Sequence, residues 1–108
     1  MLNVKENQIM ENRTYDENVE YLIRGILTLE SPRECLRFFE DLCTPSELQE
    51  MARRLQAAKM LKDNHPYTRI SEETGLSTAT ISRVNRCLKY GADGYVNVLA
   101  RMKEDGAV

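Results

Sequence analysis

YTRISEETGLSTATISRVNRCLK, residues 67–89, has the spacing of a helix-turn-helix. Ile70, Leu76, Ile81 and Val84 fall where two short helices crossing at a wide angle need apolar contacts, and Gly75 stands where the turn needs a positive φ. That geometry places the second helix in the major groove of DNA. The pattern predicts helices over Tyr67–Thr74 and about Thr78–Lys89, with Ser77 capping the second and Gly91 ending it as the C′ residue.

Upstream, Asp63-Asn64-His65-Pro66 reads as a loop, since Pro66 keeps His65 out of the helical region. Thr44-Pro45-Ser46-Glu47 combines a capping hydroxyl, a proline at the first helical position and a glutamate in the first turn. It opens a third helix, Pro45 to Lys62, with Leu48, Met51, Leu55, Ala58 and Leu61 on its apolar side. Ser31-Pro32-Arg33-Glu34 is the same signal for a second helix to about Leu42, burying Leu36, Phe38 and Phe39. The stripe Val19, Leu22, Ile23, Ile26, Leu27 predicts a first helix over about Asp16–Leu29. Beyond the motif, Asp93 is placed to cap a last helix, Gly94 to about Lys103, with Tyr95, Val98, Leu99 and Met102 on one face. No strand-like alternation or repeat competes. The expected fold is all-α with six helices, one domain over residues 14–108 and a polar, frayed terminus over 1–13.

At 108 residues the chain buries a modest fraction of its surface alone, so help from a second copy is expected. There is no apolar run of membrane length and no signal-peptide pattern, which points to a soluble protein of the cytoplasm. Cys35, Cys43 and Cys87 lack C-x-x-C spacing and have only His65 for company, so they read as reduced thiols; no metal and no cofactor are expected. No nucleophile, metal set or phosphate-binding glycine loop suggests an enzyme. Glu72 and Glu73 are adjacent on one helix and point in different directions, so they form no acid–base pair; they face solvent or fend off phosphates.

The formal charge of −2 argues against nucleic acid until its distribution is read. Residues 1–52 hold five Lys/Arg against eleven Asp/Glu, whereas residues 53–89 hold eight against three. The basic band coincides with the motif and the helix before it, and the local field on the docking face is what a phosphate backbone meets. The second helix of the motif opens with Thr78, Ala79, Thr80 and Ser82, short side chains that let the backbone approach base edges, with methyl groups suited to thymine. Arg83, Arg86 and Lys89 follow, and the helix N-terminus near Ser77 offers N–H groups to a phosphate.

Leu42-Cys43-Thr44-Pro45-Ser46-Glu47, the pair Arg53-Arg54, Thr74-Gly75 through Ala79-Thr80-Ile81-Ser82-Arg83, and Leu88-Lys89 carry a further signal. Over residues 30–104 the chain resembles the Trp repressor superfamily, most closely its branch of Trp-repressor-related YerC/YecD-type proteins. The resemblance implies an intertwined homodimer in which helices one to three and six of two chains share a core. It also implies base reading through Thr78, Ala79 and Ser82, with Thr68 and Arg69 beside them. In the classical repressor, tryptophan lies between the third and fifth helices, held by an Arg on each and a Thr at the start of the third; the matching residues are Arg54, Arg83 and Thr44. Two positions depart from that pattern. Val84 stands where the family has a glycine against the indole, and Cys87 where it has a hydroxyl near the ligand amine. The valine would occupy the ring's space, so tryptophan is not expected to bind. Thr44 is equally explained as an N-cap, and Arg54 as a partner of Glu50 or Asp41 or as a solvated side chain.

The reading is a DNA-binding transcriptional regulator, a repressor by preference, whose two reading helices meet half-sites about one helical turn apart, ~34 Å. The alternative from another class is a helical protein–protein interaction module in which the motif is only a structural corner. Salt distinguishes them, because phosphate contacts release counterions and an apolar interface does not.

Overall fold

A computed structural model describes residues 16–106, and the expected frayed segment 1–13 lies outside them. Six helices follow one another: α1 (Glu17–Ile26), α2 (Pro32–Leu42), α3 (Pro45–Lys62), α4 (Tyr67–Thr74), α5 (Thr78–Tyr90) and α6 (Gly94–Glu104). No strand occurs among the described residues. They divide into two units, α1 with α2 and α3 through α6.

In the first unit, Asp16 caps α1 by accepting the Val19 N–H at 3.0 Å. The helix stops at Ile26, short of the expected Leu29. Thr28 donates its hydroxyl to the Gly25 carbonyl at 2.7 Å, and the Thr28 and Leu29 N–H groups turn back to Gly25 and Ile26 in tighter i−3 bonds. A hydroxyl that satisfies a carbonyl locally offers the backbone an exit from the helix. Ser31 caps α2 as expected, accepting the Glu34 N–H at 3.1 Å, while the Glu34 carboxylate accepts the Glu30 N–H at 3.1 Å. The predicted buried face of α2 is not buried: Leu36 is 53% exposed, and Phe38 and Phe39 are half-buried with their rings edge to face, centroids 5.5 Å apart. No residue of α1 or α2 is buried, although both helices carry a clear apolar stripe.

In the second unit α3 packs against α4, α5 and α6, and α5 against α4 and α6. The core takes Ala57, Ala58 and Met60 from α3, Ile70 from α4, Leu76 from the turn, Ile81 and Val84 from α5, and Leu99 from α6. Of the apolar side expected for α3 only Ala58 is fully inside; Leu55 and Leu61 pack on the core from its edge, Leu48 is half-buried, and Met51 is 40% exposed. The centre of the contact falls on the small residues Ala57 and Ala58, both fully buried, which a count of large apolar side chains does not register.

The helix ends are held by specific bonds. Asn64, at φ 65°, ends α3: its N–H returns to the Leu61 carbonyl, and that of His65 to Met60, both at 3.0 Å. This is the paired closure that a left-handed C′ residue permits. Gly91 ends α5 without that conformation, at φ −85° and ψ −151°, with its N–H on the Cys87 carbonyl at 2.9 Å. A Cβ at Gly91 would run into that same carbonyl, so the glycine is required for proximity and not for a positive φ. Asp93 precedes α6 but does not cap it through its side chain. Its φ of 65° departs from the extended backbone that aims a capping oxygen at the first-turn N–H groups.

Candidate nucleic-acid interface

The turn between α4 and α5 is built from four consecutive functions. Gly75 adopts φ 76°, which only glycine enters at no cost, and its N–H bonds the Ser71 carbonyl at 2.8 Å. Thr74 is buried; it donates its hydroxyl to the Ile70 carbonyl at 2.7 Å and accepts the Leu76 N–H at 3.1 Å. Ser71 donates its hydroxyl to the Leu76 carbonyl at 2.8 Å. Leu76 itself is in the core, so the polar bonds of its backbone and the burial of its side chain fix the same residue. Neither Ser71 nor Thr74 stands out in the sequence, because their partners are backbone groups that a spacing pattern does not reveal.

This turn sets α5 with Ile81 and Val84 inward. With 100° between successive residues, the opposite side carries Ala79, Ser82, Arg83, Arg86 and Tyr90, and Thr78 and Lys89 flank it; all seven are exposed. Tyr90 is 83% exposed at the far end of this face. Ser77 caps the helix, accepting the Thr80 N–H and donating to the Thr80 hydroxyl, both at 3.1 Å. Its side chain is therefore engaged within the helix, and what Ser77 adds to the surface is the cap. On α4, Thr68 and Arg69 are exposed, and Arg69 Nη2 lies 3.0 Å from Glu73 Oε1.

A third side of α5 bears Thr80, Arg83, Val84 and Cys87, at i, i+3, i+4 and i+7. These four, with Glu50 and Arg54 of α3 and Tyr95 of α6, line a cavity of about 130 Å³. The structure thus brings Arg54 and Arg83 to one cavity, with Val84, only 3% exposed, in its wall. Thr44, the third residue expected there, belongs to the first unit and directly precedes α3 in the chain. Arg54 is held by Glu50, Nε to Oε2 at 3.3 Å, one of the two pairings open to it in the sequence. Burial raises the Tyr95 hydroxyl above its usual range; the nearby Cys87 adds to the rise and the Arg54 guanidinium opposes it. The phenol is neutral at physiological pH and can donate into the cavity. Thr80, Glu50 and Tyr95 were not grouped with the cavity by sequence; the stripe 80, 83, 84, 87 is the signal that places Thr80 there.

Residues 17–103 match the model of the Trp repressor protein family. The uncharacterized protein YerC of Bacillus subtilis is 51% identical over 88 residues, 82% of this chain and 85% of YerC. Among solved structures, a TrpR-like protein from Eubacterium eligens superposes with a TM-score of 0.80 at 47% identity, covering 85% of this chain and 95% of that one. A candidate Trp repressor from Staphylococcus aureus gives a TM-score of 0.78 at 48% identity, over 89% of this chain and 94% of its own.

Proposed function

The chain belongs to the Trp repressor protein family, and from that premise we propose that it is a sequence-specific DNA-binding regulator, a repressor, acting in the cytoplasm as a homodimer on a two-fold symmetric operator. The observation that carries this reading is the exposed face of α5, where Ala79, Ser82 and Arg86 stand in line behind a turn held by Ser71, Thr74 and Gly75. Short side chains let the helix enter a major groove, and Arg86, Lys89 and Arg69 reach phosphates on either side. No described helix is long and apolar enough to cross a membrane. In this reading Val84, which lines the cavity beside Arg54 and Arg83, takes the space the resemblance assigns to an indole ring, and regulation needs no tryptophan.

The test is selection of genomic DNA fragments on the purified protein beside a control carrying Thr78→Glu and Ser82→Glu. An enriched motif with two-fold symmetry, lost in the control, is the expected outcome and names the operator. Equal, motif-free recovery by both proteins would remove α5 as a DNA reader and leave the protein-interaction module.

A further inference from the structure

We propose that Glu73 is a built-in competitor for DNA phosphate: by holding Arg69 beside the reading helix it lowers affinity for every sequence and flattens the salt dependence of binding. The inference rests on the DNA reading above and adds to it a residue whose effect opposes that of the surrounding cations.

Three features of the pair lead to it. Arg69 and Glu73 meet at 3.0 Å on α4, the helix directly before the turn, with side chains 58% and 42% exposed. The pair is poorly placed as a helix stabiliser. Glu73 lies one residue from the end of α4, where a negative charge faces the negative end of the helix dipole. The order, cation before anion at i, i+4, is the less favourable of the two. Finally, residues 53–89 contain only three acids, and Glu72 and Glu73 put two of them on α4. Helix stability gains little from an acid at this place, whereas the acid neutralises a cation on the helix that leads into the proposed reading helix.

An exposed ion pair holds weakly, so Arg69 exchanges between Glu73 and solvent and is within reach of phosphate. Duplex DNA carries a charge for about every 1.7 Å of its length, and each phosphate neutralised by a cation releases counterions. With Glu73 at its side, Arg69 brings no net charge to that exchange. Without Glu73 it brings one.

The probe is a short random-sequence duplex titrated with the full chain across ~50–200 mM salt. Glu73→Gln is expected to bind about 5–10-fold more tightly at ~0.1 M salt and to steepen the slope of log K against log salt by about 0.9, one phosphate's worth. Glu73→Lys should steepen it about twice as much. Arg69→Gln should bind more weakly with a shallower slope, and the double variant Arg69→Gln/Glu73→Gln should return to the wild-type slope. A wild-type slope in folded Glu73→Gln, while wild type still exceeds the Thr78→Glu/Ser82→Glu control, overturns the role of Glu73 alone. Wild type no better than that control overturns the DNA reading and this inference with it.

Discussion

Val84 is one side chain in which the core and the cavity meet: it is 3% exposed, packs with Ile81 and Leu99, and walls the space shared by Arg54 and Arg83. Its effect on ligand binding can be separated from its effect on stability. Replacing it with glycine removes an apolar side chain, worth about 1.5–3 kcal/mol of burial, and adds about 1 kcal/mol for glycine inside a helix. Val84→Gly should therefore melt at a lower temperature yet gain tryptophan binding in a calorimetric titration that is silent for wild type. A folded Val84→Gly protein that remains silent shows that something other than the valine closes the site. At this scale the sequence was informative where chemistry is local: Glu50, four residues before Arg54 on one helix, is the partner found among the options the sequence left open. It was uninformative for Thr80, whose type suits a groove but whose position, three residues after a capping serine, turns its hydroxyl to Ser77 and its side to the cavity.

The turn between α4 and α5 is the element on which the proposed function depends, and Gly75 is its test. An added Cβ there meets no atom within 4 Å, so the cost of Gly75→Ala is purely that of φ 76°. A left-handed residue other than glycine costs roughly 1–2 kcal/mol, and asparagine less. The melting temperature should fall for Gly75→Ala and fall less for Gly75→Asn; equal losses would point to a steric role. The elements themselves were legible to within a residue from α2 to α6, helped by Ser31 and Ser77, which cap from extended backbone with bonds that span three residues. The errors cluster where an end depends on backbone conformation. Thr28 draws the Gly25 carbonyl out of α1, Gly91 ends α5 by proximity to Cys87, and Asp93 sits at a positive φ, and none of these is set by residue type alone.

The whole molecule poses a question that its second unit does not: what covers α1 and α2. Tyr21, Leu27, Leu36 and Leu42 are 80%, 60%, 53% and 51% exposed, and nothing on either helix is buried. Cys35 and Cys43 are free thiols, and no group of metal-binding side chains occurs among the described residues. The proposed homodimer would cover these side chains with a second set of the same apolar stripes. Each large aliphatic side chain covered in this way contributes about 1.5–3 kcal/mol, so a few per helix suffice to bind the copies firmly. The protein should then sediment as a dimer, and its melting temperature should fall on dilution, because folding and association are one equilibrium. Leu36→Glu, a charge in the middle of that surface, should yield monomer with loss of helical signal from the first unit. A chain that stays monomeric at high concentration, with a melting temperature independent of dilution, would instead require the stripes to be covered within one chain, and the two-fold symmetric operator would lose its physical basis.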